Sequence, residues 1–188
     1  MHLPQNIWSD ENLINILKEG GVVVMPTDTI YGIVGKALDE STVLRIYDIK
    51  KRAPEKPCII LIGNIKELGK FSINLSEEQK NIIKNFSTPT SIILDCPEEK
   101  FSYLHRGTKT LAFRLPILGE LRDLLLKTGP LVAPSANPEG LSPAKNINEA
   151  KNYFGDSVDL YIDGGEIISK PSKIIKFNPD GPVIVLRE

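Results

Sequence analysis

Lys50, Arg52 and Lys56 crowd one short stretch of this chain, KKRAPEKP, beside Lys51. Pro54 and Pro57 stiffen the stretch by fixing φ. At a helix end such cations favour the macrodipole and stay solvated. Held together, they instead form a clamp for phosphate or carboxylate, with Arg52 able to donate a bidentate fork. A second group follows the apolar run Val22 to Met25. There MPTDTIYG offers the hydroxyls of Thr27, Thr29 and Tyr31, the carboxylate of Asp28, and Gly32 beside them. A plain connection needs one turn former and one cap, so this segment reads as a surface for holding a ligand. A third group is APSANPEGLSPAK, Ala133 to Lys145, with Ser135, Asn137 and Ser142 in a loop rich in Pro and Gly. Turn chemistry alone accounts for its composition, yet the C-terminal ends of strands are where α/β proteins bind ligands. Arg114 is the fourth element, alone on the apolar strand TLAFRLP. Facing solvent it needs nothing; facing inward it needs an anionic partner, because an unpaired buried charge is too costly.

Other chemistries lack their residues. There is no GxxxxGK[ST] loop and no GxGxxG after a strand. The histidines are His2 and His105, with no CxxC or HxxxH, so metal ligation and Ser–His–Asp or Cys–His nucleophile sets are not expected. Cys58 and Cys96 lie in or beside apolar runs and read as reduced core residues. If the chain is an enzyme, it is expected to work by positioning and charge neutralisation rather than covalent catalysis, which fits phosphoryl and nucleotidyl chemistry.

The elements that must position these groups follow from periodicity. SDENLINILKEGG puts Leu13, Ile16 and Leu17 on one helical face, with Ser9 or Asp10 as cap and Gly20-Gly21 as stop. Val22 to Met25 is a buried strand, and a second short strand follows Gly32. DESTVLRIYDIKKR spaces Val43, Leu44 and Tyr47 as a helix that brings Lys50 and Arg52 to its C-terminus. PCIILIG is a buried strand. SEEQKNIIKNF opens with a capping box, Ser76 and Gln79. TSIIL, TLAFRLP and PLVAP are strands, with LGELRDLLLK a helix between the last two. NEAKNYFG is a helix ended by Gly155, and VDLYIDGG, KIIKF and PVIVL are late strands. Alternation followed by bunching predicts a three-layer α/β sandwich around a mixed sheet.

Bulk composition narrows the class. The chain has 188 residues, 41% hydrophobic and 25% charged, which suits a single domain over 1–188. A net charge of -1 carries no global signature of nucleic-acid binding. No apolar run approaches the ~20 residues of a membrane span, and the N-terminus has no basic region before an apolar core. A soluble cytoplasmic protein without a membrane partner is expected.

In order along the chain, PTDTIYG, KKRAPEKP, TLAFRLP, APSAN, DGG (Asp163 to Gly165), PSKII (Pro171 to Ile175) and the final LR resemble the YrdC-like family of threonylcarbamoyl-AMP synthases. The resemblance implies a twisted mixed sheet flanked by helices, with a large cationic cavity. It implies a nucleotidyltransferase that joins L-threonine, bicarbonate and ATP into threonylcarbamoyl-AMP and pyrophosphate. The product would feed a tRNA modification through a separate transferase complex, and Mg²⁺ would accompany ATP. Carried onto matching residues, Thr29, Arg114, Ala133 and Ser172 would hold threonine. Lys50 and Arg52 would be catalytic; with Lys56 they would face the triphosphate. Thr110, Ser135, Asn137, Ser142 and Arg187 would also line the nucleotide site, and Tyr31 would be a wall residue. Gly165 to Lys173 would form a lid that carries Ser172. STPTS (Ser87 to Ser91) only partly matches the family's Pro-Gly-Pro-x-Thr loop, and Lys173 stands where Thr is usual. The chain resembles the short, single-domain form. Rival readings on the same fold are a module that contacts tRNA or other RNA without catalysis, and a carbamoyl-adenylate former fed by carbamoyl phosphate.

Overall fold

The computed structural model describes residues 7–178 and 181–188; His2 lies outside them. The helices are α1 Glu11–Lys18, α2 Glu40–Lys50, α3 Glu77–Lys84, α4 Ser102–His105, α5 Gly119–Thr128 and α6 Ile147–Phe154. The strands are β1 Val23–Pro26, β2 Tyr31–Lys36, β3 Ile59–Leu61, β4 Thr90–Asp95, β5 Thr110–Arg114, β6 Leu131–Val132, β7 Leu160–Tyr161, β8 Lys173–Asn178 and β9 Gly181–Arg187. They form one sheet in the order β7-β1-β2-β6-β3-β5-β4-β8-β9. The pairs β1–β7, β3–β5 and β4–β8 are parallel and the rest antiparallel, so the sheet is mixed.

Alternation along β1 shows why there are three layers. Val22 and Val24 enter one apolar cluster, with Ile33, Val43, Ile46, Phe71 and Phe113. Val23 and Met25 enter another, with Leu13, Leu17, Leu121, Leu124 and Leu125. Successive side chains of a strand point to opposite faces, so both faces are buried. α1 and α5 cover one face; α2 and α6 contribute to the other.

Local signals act as expected at the helix starts. Asp10 caps α1 by accepting from Leu13 N–H at 2.8 Å, and the capping box of Ser76 and Gln79 opens α3. Some details differ. Ile14 joins Leu13 and Leu17 as a buried residue of α1, while Ile16 is partly buried against the same cluster. Ile46 takes the buried place expected of Leu44, which is 39% exposed. β2 begins at Tyr31, before Gly32, and the strand in VDLYIDGG is only Leu160–Tyr161. A 3₁₀ segment at Ile65–Phe71 and the short helix α4 had no periodicity long enough to read.

Candidate active site

β5 builds one wall by its two-residue period. Thr110, Ala112 and Arg114 share a face and line a cavity of about 450 Å³, while Leu111 and Phe113 point into the core. Ile59 and Ala133 belong both to that wall and to the α1/α5 side of the core. The cavity is therefore the continuation of that sheet face.

The loop between β1 and β2 supplies the next wall. Thr27 Oγ1 donates to the Ile30 carbonyl at 2.7 Å and accepts from Thr29 N–H at 3.2 Å; it lies 3.1 Å from Thr29 Oγ1. Gly32 pairs with Ser135 through an isolated bridge. A Cβ at Gly32 would sit 3.2 Å from Thr27 Cγ2, so only glycine lets the two loops close this far without shifting the threonines.

Arg114 faces inward and is 3% exposed. Its anionic partner is Asp28: Nη2 lies 2.9 Å from Asp28 Oδ1 and 3.4 Å from Thr27 Oγ1. The pair is not fully satisfied. Neither Asp28 oxygen has an aligned hydrogen-bond donor, and Arg114 Nε has no acceptor. Burial pulls the guanidinium pKa down and Asp28 opposes it. A cavity-lining arginine whose one carboxylate partner meets only Nη2 is suited to receiving a further anion.

Opposite lies the C-terminal part of the chain. Ser172 is buried, with its Oγ 2.8 Å from Ser91 Oγ. Arg187 donates from Nε and Nη2 to the Ser172 carbonyl at 3.0 and 2.7 Å. The segment read as a lid, Gly165 to Lys173, is tethered at several points. Tyr31 Oη donates to the Gly165 carbonyl and accepts from Gly164 N–H, both at 2.8 Å. Ile167 is buried, whereas Ile168 is 79% exposed.

The basic stretch divides. Arg52 lines the cavity; Nε donates to the Lys56 carbonyl at 2.9 Å and Nη2 to the Pro57 carbonyl at 3.0 Å. Lys50 does not face the cavity as the sequence reading has it. It is 1% exposed, and its ammonium donates to the carbonyls of Ser135 and Asn137. Being on the last turn of α2, it points beneath the loop after β6 and ties the two together. Burial first, then repulsion from Arg52, lower its pKa to about 8, with Glu139 opposing. Lys56 also stays outside the cavity wall, paired with Glu139, whose other oxygen accepts from Ala53 N–H.

Thr29, Arg52, Thr110, Arg114, Ala133, Ser135, Ser172, Arg187 and the wall residue Tyr31 thus surround one cavity; Lys50, Lys56, Asn137 and Ser142 do not line it. Asn137 is buried and donates from Nδ2 to the carbonyls of Pro138 and Leu141 at 2.9 and 2.7 Å, which shapes the loop. Ser142 is exposed and its carbonyl accepts from Tyr153 Oη at 3.1 Å; its neighbour Pro143 reaches the cavity instead. Sequence reasoning missed the parts played by Asp28, Ser91 and Glu139. For Asp28 a signal existed, since an inward Arg114 demanded an anion and Asp28 sits between two threonines of the ligand loop.

A family model, Sua5_yciO_yrdC, described as "Telomere recombination", matches residues 15–188. The chain belongs to the Sua5/YciO/YrdC family. This Sua5/YciO/YrdC chain is 32% identical over 182 residues to the threonylcarbamoyl-AMP synthase of Pyrococcus abyssi, covering 95% of this chain and 53% of that protein. It therefore spans about half the length of that relative. With the threonylcarbamoyl-AMP synthase of Hahella chejuensis it is 28% identical, covering 89% of this chain and 92% of the other. Among solved structures, that of P. abyssi Sua5 complexed with L-threonine matches at a TM-score of 0.85 and 30% identity, over 97% of this chain and 54% of that one. The Sua5/YciO/YrdC fold thus carries the three-layer arrangement read from periodicity. No helix among the described residues is long and apolar enough to cross a membrane.

Proposed function

We propose that the chain is a threonylcarbamoyl-AMP synthase, a nucleotidyltransferase that converts L-threonine, bicarbonate and ATP to threonylcarbamoyl-AMP, pyrophosphate and water. The observation that carries this reading is Arg114: an arginine that lines the cavity together with Thr27 and Thr29, its guanidinium only partly satisfied by Asp28. That set suits a hydroxy amino acid, whose carboxylate would take Arg114 and whose hydroxyl would meet Thr29. Ser172 would close over it and Ala133 would give an apolar wall. The names of the Pyrococcus and Hahella relatives, and the threonine described for the Pyrococcus structure, support the reading.

The chemistry fits the charges. The threonine amine and bicarbonate form a carbamate with loss of water. A carbamate oxygen then attacks the α-phosphorus, and the bond to pyrophosphate breaks. Two anions must approach, so cations that face the reacting groups lower the barrier. Arg52 and Arg187 would serve there, with Thr110 and Ser135 along the nucleotide. Lys50 and Asn137 would act by positioning the Ser135 loop, and Lys56 and Ser142 would border the site. Mg²⁺ would enter with ATP as part of the substrate; the described residues hold no cluster of three or more His, Cys, Asp or Glu suited to a resident ion. A separate transferase would use the product on tRNA in the cytoplasm. Pyrophosphate release with ATP and Mg²⁺, omitting L-threonine or bicarbonate in turn, tests the proposal. Release should need both. Release without threonine, or none in any combination, would overturn it.

A further inference from the structure

A second depression lies outside this cavity and shares no lining residue with it. It has a volume of about 820 Å³. Its floor is apolar: Ile65, Leu68, Ile73, Leu75 and Leu115. Its rim is cationic, with Lys66, Lys80, Lys84 and Arg122 against the single acid Glu77. Glu77 is already taken, 2.7 Å from Lys80 Nζ. Lys66, Lys84 and Arg122 form no close ion pair among the described residues, although the charge of Lys84 also acts on Glu77.

One wall of the groove is α3, and that helix is under-packed. Of its eight residues only Ile83 is buried. A helix this short is marginal in water and normally draws its stability from a packed apolar face. α3 has the single core anchor Ile83, with its capping box and the Glu77–Lys80 pair beside it. Glu77, Lys80 and Lys84 turn its charged side to the groove.

We propose that this groove docks an acidic segment of a partner protein that carries aliphatic side chains. Aliphatic groups would cover the partly buried Ile65, Leu75 and Leu115 beside α3. Carboxylates of the segment would meet Lys66, Lys84 and Arg122. A nucleic acid fits less well, because no aromatic side chain lines the groove for base stacking. The proposal stands apart from the reaction assigned above.

The test uses the whole chain and a fluorescein-labelled amphipathic peptide of Leu and Glu, with its Leu/Lys counterpart as control. Binding is followed by anisotropy, and amide exchange is followed over Glu77–Lys84. The acidic peptide should bind saturably, slow exchange in α3 and bind more weakly as salt rises. The double variant Lys84→Glu/Arg122→Glu should weaken it by about tenfold or more. Lys66→Glu should weaken it less, and pyrophosphate release should stay unchanged in both variants. Equal binding of the basic peptide, or no effect of charge reversal, would overturn the proposal. So would slowed exchange in α3 caused by decanoate, by an oligouridylate or by raising the protein concentration while the acidic peptide has no effect.

Discussion

An arginine with one carboxylate neighbour, both sealed from water, responds to substitution unlike an exposed pair. Arg114→Ala would leave Asp28 buried and uncompensated. The expected loss is about 3–5 kcal/mol, read from urea unfolding, and adding Asp28→Ala should recover much of it. Threonine-dependent activity should stay absent in both variants. Lys50 gives a pH signature. Its folded-state pKa of about 8 lies below its ordinary 10.5. Between those values the unfolded chain holds the proton that the folded chain releases, so stability rises with pH across the window. Below pH 8 both states hold it, and the fold bears the full cost of a buried ammonium. The difference in unfolding free energy between the parent chain and Lys50→Met should therefore shift in favour of the parent from pH 8 to 10. A flat difference would mean the ammonium is well solvated by its two carbonyls.

Loops, more than strands, decide what faces the cavity. The stretch after α2 and the loop after Asn137 are clasped by Glu139, whose carboxylate takes Lys56 and Ala53 N–H. Lys56, then that backbone bond, holds the Glu139 pKa below its ordinary value. Its contribution is thus present above the ordinary carboxylate range and fades on acidification. Glu139→Gln should speed amide exchange at Ala53 at neutral pH, while the parent reaches the same rate only in acid. Gly32→Ala should push Thr27 and raise KM for threonine more than it lowers kcat. Much at this scale was legible beforehand. Strand order aside, β1, β4, β5, α3 and α5 sit where alternation, helical spacing and caps put them. Lys50 and Lys56 were not legible. A cation at a helix end looks the same in sequence whether it faces ligand, solvent or a neighbouring loop's carbonyls. That choice depends on Glu139 and the loop after β6, which only the fold brings near. Asp28 was half legible: charge balance required an anion, but spacing could not say which one.

Across the molecule, the sheet ends in β9, where Ile184, Val185 and Leu186 are 46%, 44% and 56% exposed. An apolar edge strand invites pairing with other chains. Val185→Lys should reduce concentration-dependent association, measured by sedimentation, without changing the unfolding midpoint by more than a small amount. Unchanged association would place any self-contact elsewhere. The cavity itself is assembled from distant parts of the chain. Tyr31 meets Gly165 across 134 residues, and Arg187 holds Ser172 against Ser91. On a ribosome, the early threonine loop must wait for the late segments before it has a facing wall. A nascent chain therefore lacks the cover over Thr29 and Arg114 until the segments around Ser172 and Arg187 have emerged. If the proposed reaction holds, a fragment that stops before Ser172 should release no pyrophosphate from ATP.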